Sequence, residues 1–127
     1  MRELGRGAQS VVYLAHDPHL DREVAIKTLH FAHVDEELKT QLLAEARMVS
    51  RLRHPNIVPI FEAGEHAGTP YLVFEYVAGA TLAQRIRQGV MAPLDAVHIV
   101  QGVLDALGEA HEQGIVHRDI KPSNIIL

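Results

Sequence analysis

Residues 114–127 read GIVHRDIKPSNIIL. Two apolar runs, Ile115-Val116 and Ile125-Ile126-Leu127, bracket His117, Arg118, Asp119, Lys121, Ser123 and Asn124. Strand-like flanks with that density of charge between them do not make a packed core. They anchor both ends of a loop, which a preorganised polar site requires. Asp119 has the short reach a general base needs to take a hydroxyl proton. Lys121, two residues on, is placed to neutralise a transferring group. Asn124 offers a neutral oxygen of the kind that suits Mg²⁺ beside phosphates, and Pro122 stiffens the loop. The plain alternative is a solvated turn with a chance run of polar residues.

Upstream, the chain divides into a strand-rich part and a helical part. VVYLAHD (11–17) and REVAIKTLH (22–30) read as β-branched strands joined by the turn-forming DPHLD, an antiparallel pair. A helix is expected near 35–52, with Asp35, Glu36 and Glu37 in its first turn and Arg47, Arg51 and Arg53 toward its end, complementing the macrodipole. HPNIVPIFEAGE (54–65) reads as a turn and a strand. TPYLVFEYVAG (69–79) reads as another strand ending in a flexible stretch. Thr81 with Gln84 forms a capping box that opens a short helix stopped by Gly89. A longer helix spans 93–114, with Val97, Val100, Leu104, Leu107 and His111 on one stripe and Gly114 at C′. Strands with one helix, then helices, give an α+β class.

Two stretches outside the tail carry chemistry. LGRGAQSVV contains Gly5-x-Gly7-x-x-Ser10 with a strand after it, so it does not open a dinucleotide-binding helix. Glycines between antiparallel strands can lie flat over a phosphate chain, offering N–H groups without Cβ interference; an ordinary hairpin turn remains the alternative. VAIK sets Lys27 inside an apolar strand, where it either snorkels or meets a partner. Glu45 falls on a helical stripe with Leu38, Leu42, Val49 and Leu52. A cation on an apolar strand and a carboxylate on an apolar helical face each offset the other's desolvation, so the pair Lys27–Glu45 is expected. The alternative for Glu45 is the wet edge of the stripe.

The 127 residues carry a net charge of −4, which argues against nucleic acid or anionic lipid as a partner of the whole chain. No cysteine is present, which excludes disulfides, thiolate metal sites and Cys nucleophiles. No apolar run approaches a membrane span, and MRELGRGAQS has no apolar core of the kind a signal peptide carries. The nine histidines are scattered; His16/His19 and His30/His33 have i,i+3 spacing in connectors and read as solvated loop residues rather than metal ligands.

LGRGAQSVVYLA, VAIK, LLAEARMVSRLRHPNIV, YLVFEYVAGATL and HRDIKPSNIIL occur in the order and rough spacing of the eukaryotic-type protein kinase domain, and the chain resembles the bacterial Ser/Thr members of that family. The resemblance covers all 127 residues but about half of a kinase domain. It implies an antiparallel N-lobe sheet with an αC helix over residues 1–76, a hinge at 77–80, and from 81 the first helices of a helical C-lobe, with the catalytic loop at 117–124. It further implies an ATP-dependent serine/threonine kinase using Mg²⁺ and acting on a protein substrate. Gly5, Arg6, Gly7, Ala8, Gln9, Ser10 and Val12 would belong to the loop over ATP. Leu4, Val12, Ala25 and Ile126 would sandwich the adenine. Lys27 would contact the α- and β-phosphates and pair with Glu45. Phe74 would be the gatekeeper, and Glu75 and Val77 would offer a carbonyl and an N–H to adenine. Asp119 would position or deprotonate the substrate hydroxyl, Lys121 matches the Ser/Thr-specific loop, and Asn124 would hold one Mg²⁺. Val49, Ile60 and His117 would join the apolar column linking the lobes.

The chain departs from that pattern at the third loop glycine, which is Ser10, and at Ser123, where many kinases have Glu. Thr81 stands where a carboxylate often meets the ribose, so its hydroxyl is expected to cap a helix. No Asp-Phe-Gly follows Leu127, so these 127 residues alone are expected to be inactive, and the stripe of the 93–114 helix is expected to be exposed. The segment is expected to be cytoplasmic, with any membrane anchor outside it. A pseudokinase-like scaffold and a small-molecule phosphotransferase of the aminoglycoside-kinase type are the other two classes. Retention of Lys27, Asp119 and Asn124 argues against the first, and Arg118 with Lys121-Pro122 against the second.

Overall fold

The β-branched stretches on either side of DPHLD form two long antiparallel strands, β2 (Ser10–Asp17) and β3 (Arg22–Leu29), in register from Ser10↔Leu29 to Asp17↔Arg22. The connector is tied down by Asp17, whose Oδ1 accepts the His19 N–H at 2.9 Å. A computed structural model describes residues 1–7, 9–30, 36–115 and 122–127. β1 (Arg2–Arg6) pairs outside β2. β4 (Ile60–His66) and β5 (Thr69–Glu75) complete a five-stranded antiparallel sheet of order β1-β2-β3-β5-β4. α1 (Glu36–Ser50) packs on β4 and β5. The remaining elements are α2 (Leu82–Arg87), α3 (Pro93–Glu112) and a 3₁₀ turn at Pro122–Asn124. These elements form two compact units, one of residues 1–51 and 58–76, the other of 52–57 and 77–127.

In the first unit Val11 and Val24 are buried by the sheet and Ala46 by the packing of α1, while Pro70 is fully enclosed. By register, Val12, Leu14, Ala25, Lys27, Leu72 and Phe74 share one face, because directly opposed residues of antiparallel strands point the same way. Glu65 and Pro70 extend that face at the β4–β5 end.

In the second unit the capping box forms as the sequence predicts: Thr81 Oγ1 accepts the Gln84 N–H at 3.2 Å, and Gln84 Oε1 accepts the Thr81 N–H at 2.9 Å. α3 opens on Pro93, whose missing N–H costs nothing in a first turn, and closes before Gly114 at φ +76. The turn at 54–57 docks on α3 through Asn56, whose Nδ2 donates to the Gly102 carbonyl at 3.1 Å. Of the stripe expected to be exposed on α3, Val97, Val100 and Leu104 are exposed and Leu107 is half-buried; Leu94, outside that stripe, is exposed as well. No helix among the described residues is long and apolar enough to cross a membrane.

The stretch over 54–65 divides into a turn and a strand as read, with the strand starting at Ile60, because Pro55 and Pro59 lack the N–H a ladder needs. The strand expected over 69–79 stops at Glu75, whose N–H donates to the Pro59 carbonyl at 3.1 Å as its last rung. Just past the stretch that follows it, Leu127 N–H donates to Ala80 O at 2.9 Å and Leu82 N–H to Ile125 O at 2.8 Å.

Candidate functional site

The glycine-rich turn joins β1 to β2. Gly7 N–H donates to the Ser10 carbonyl at 2.8 Å, closing a tight hairpin, and His30 N–H donates to the Gln9 carbonyl at 2.7 Å, fixing the turn to the end of β3. Neither Gly5 nor Gly7 has a positive φ, and a Cβ at Gly5 would meet nothing within 4 Å. The fold of this turn therefore does not demand Gly5. Gly5 does stand where the β1–β2 register shifts, and its backbone is left open on the side a Cβ would occupy. Leu4 on β1 is 40% exposed, and the Arg6 Nε donates to Glu3 Oε1 at 2.9 Å on the surface. Ala8 lies outside the described residues.

Next to the turn, Val12 opposes Lys27 and Leu14 opposes Ala25, which in turn opposes Phe74. Lys27 and Phe74 are half-buried. The arrangement sets a cation, a small residue and a bulky aromatic on one face, one strand from the glycines. Glu75 is exposed and belongs to the same unit; Val77 is half-buried and belongs to the other.

One expected contact is not made. Among the described residues no ion pair or hydrogen bond joins Lys27 to Glu45, and Glu45 is exposed. The buried positions of α1 are Lys39 and Ala46, flanked by the half-buried Leu42, Leu43, Val49 and Ser50. At 3.6 residues per turn Glu45 sits roughly 100° round from Ala46, at the wet edge of this stripe. The sequence reading centred the stripe on Leu38, Leu42 and Val49 because it counted only large apolar side chains. Ala46 and the stem of Lys39 set the true centre.

Lys39 is the charge the sequence reading missed. Its Nζ lies 3.2 Å from Glu65 Oε1 on β4 and 3.4 Å from Glu36 Oε1 on its own helix, and its side chain is 11% exposed. The hydrogen bond it donates to Glu65 holds its pKa above the ordinary lysine value, with partial desolvation opposing and Glu36 adding to it. Nearby, the Glu62 carboxylate accepts from the Tyr71 hydroxyl at 3.1 Å and, with desolvation, raises the tyrosine pKa. The signal for Lys39 in the sequence was an i,i+3 spacing from Glu36. Its partner Glu65 is 26 residues away and could not be read locally.

In the second unit the segment before α2 runs antiparallel to the chain end, with a bridge between Thr81 and Ile126. Gly79 makes the approach possible: its φ is +146, and a Cβ there would lie 2.8 Å from the Leu127 carbonyl oxygen. This pairing fixes Ile126, 40% exposed, and the neighbouring 3₁₀ turn that carries Asn124. His117, Arg118, Asp119 and Lys121, central to the sequence reading, lie outside the described residues.

The protein kinase domain family matches residues 1–127. The chain is 45% identical over 129 residues to the serine/threonine-protein kinase PrkC of Bacillus subtilis, covering 100% of this chain and 20% of the relative. It is 43% identical to the serine/threonine-protein kinase PksC of Streptomyces coelicolor, over 98% of this chain and 24% of that protein. Among solved structures, the PknI kinase domain of Mycobacterium tuberculosis superposes with a TM-score of 0.88 at 32% identity, over 98% of this chain and 52% of that one. The chain thus spans about a fifth to a quarter of these curated relatives and about half of that kinase domain.

Proposed function

The chain belongs to the protein kinase domain family, and on that premise we propose that the protein bearing it transfers the γ-phosphoryl group of ATP to a serine or threonine hydroxyl of a protein. Residues 1–76 are then the N-lobe, 77–80 the hinge, and 81–127 the start of the C-lobe with its catalytic loop at 117–124. The observation that carries this reading is the sheet face with the glycine turn at one end and Lys27 beside it. A bare backbone with open space beside it, next to a half-buried cation, suits a phosphate chain.

In this assignment the N–H groups of the Gly5–Ser10 loop cradle phosphate oxygens, and the Lys27 ammonium holds the α- and β-phosphates. Leu4, Val12, Ala25 and Ile126 supply apolar contacts to the base, Phe74 limits the depth of its pocket, and Glu75 and Val77 meet its polar edge through backbone groups. Asp119 orients the substrate hydroxyl and accepts its proton as the new O–P bond forms and the β–γ bond breaks, releasing ADP. Lys121 offsets charge on the transferring group. Members of the family use ATP and Mg²⁺. Asn124 has the neutral amide oxygen suited to the metal, which when bound neutralises phosphate charge. Catalysis is then mostly positioning and charge neutralisation.

The test is phosphoryl transfer by the intact protein from Mg-ATP to a generic Ser/Thr protein substrate. Lys27→Met and Asp119→Asn should each lower kcat about 10²–10³-fold with thermal melting unchanged. Transfer to small alcohols or aminoglycosides in place of protein, or ATP binding with no transfer, would overturn the proposal.

A further inference from the structure

The turn between β1 and β2 engages one of its own donors, because the Gly7 N–H is bonded to the Ser10 carbonyl at 2.8 Å. A second donor stands beside the same glycine. Ser10 Oγ lies 3.5 Å from where a Cβ on Gly7 would be, and among the described residues no hydrogen bond is made by that hydroxyl. Side chains alternate along a strand, so Ser10, Val12 and Leu14 of β2 share a face. The β2–β3 register runs unbroken, and Val12 opposes Lys27 on that face. Ser10 therefore belongs to the face that carries Lys27 and Ala25, where it is half-buried opposite Leu29. From the Phe74 and Ala25 end, the order along β2 is Leu14, then Val12 with Lys27, then Ser10. Ser10 lies roughly 7 Å beyond Val12 toward the turn. The Gln9 carbonyl is held by the His30 N–H at 2.7 Å, so the chain is fixed just before Ser10 as well.

We propose that the Ser10 hydroxyl is a phosphate-binding group, donating to an oxygen of the terminal phosphate of the nucleotide. The assignment rests on the reading of this face as a triphosphate site and deepens it. With Lys27 on the α- and β-phosphates, a donor one step farther from the base reaches the γ-phosphate. A hydroxyl supplies one O–H without a charge of its own, and its bond to an anionic oxygen is shorter and stronger than one to a neutral oxygen. It stands in for the Gly7 N–H that the turn has engaged. Glycine at position 10 would offer backbone alone, so the departure of Ser10 from the family's third glycine adds a ligand.

Calorimetric titration of the intact protein with Mg-ATP and with Mg-ADP tests this, in the wild type and in Ser10→Ala, Ser10→Gly, Ser10→Thr and Lys27→Met. Ser10→Ala and Ser10→Gly should weaken Mg-ATP about five- to tenfold and Mg-ADP less than about twofold. Ser10→Ala should melt as the wild type does. Ser10→Thr, which keeps the hydroxyl, should bind both nucleotides within about twofold of the wild type. Lys27→Met should weaken both. A part in folding alone would not separate ATP from ADP. Wild-type affinity for Mg-ATP in Ser10→Ala, an equal loss for both nucleotides, or tighter binding by Ser10→Gly overturns the role of the hydroxyl. If Lys27→Met weakens Mg-ATP and Ser10→Ala does not, the triphosphate reading stands and this assignment alone falls. A wild-type protein that binds no Mg-ATP overturns both.

Discussion

Gly5 and Gly79 are the same residue used for opposite reasons. At Gly79 the chain's own geometry forbids a side chain: φ is +146 and the Leu127 carbonyl oxygen stands 2.8 Å from where a Cβ would be. At Gly5 the φ is not positive and a Cβ would enter open space, although the β1–β2 register shifts between Glu3 and Gly5. A glycine in a strand costs stability, roughly 0.5–1 kcal/mol relative to alanine, so one that the fold does not require points to something outside the fold. Gly79 concerns folding and Gly5 concerns binding, and substitutions should separate the two properties.

The largest effect is expected at Gly79. Gly79→Val should destabilise the protein by about 2–4 kcal/mol through backbone strain and the clash with residue 127, read as a lower urea midpoint. Gly5→Val should do the reverse: its melting temperature should hold or rise, while affinity for Mg-ATP falls about tenfold, or ~1.4 kcal/mol, by calorimetry. Equal loss of stability in both variants would erase the distinction. Thr81→Ala, which removes the cap of α2 beside the Gly79 pairing, should cost about 1 kcal/mol and leave nucleotide affinity unaltered. In the first unit, Ala67 and Gly68 make the two-residue β4–β5 turn with φ +50 and +82. Ala67→Asn, suited to that region, should add roughly 0.5 kcal/mol with no effect on binding.

A pH scan adds a graded test of the first unit. Lys39 and Tyr71 both have folded pKa values raised by neighbouring carboxylates, Glu65 and Glu62. The stability they add is fully present below their unfolded values, near 10, and is lost as pH rises through the folded ones. Unfolding should therefore become easier above about pH 10, and Glu65→Gln with Tyr71→Phe should flatten that limb. An unchanged alkaline limb in the double variant would rule out these two contacts as its source.

The pairs legible in the sequence were local ones. Thr81 and Gln84 are three residues apart, and their reciprocal bonds form as read. The alternation around Lys27 placed it on a strand beside apolar neighbours, and five motifs in order pointed to the family. What sequence spacing missed was set by distant partners: Gly79 by Leu127, Lys39 by Glu65, Asn56 by Gly102. Glu45 was misjudged for a related reason. A stripe drawn through leucines and valines ignored a buried alanine and a lysine stem, and the shift of that centre carried the carboxylate into solvent.

The central claim is that the open face beside Lys27 holds a triphosphate. Calorimetric titration of the intact protein with Mg-ATP, repeated with Lys27→Met and with Gly5→Val, tests it most directly. Saturable binding that weakens about tenfold or more in each variant, with both variants still folded, is the predicted result. Binding of the same strength in all three proteins would contradict it.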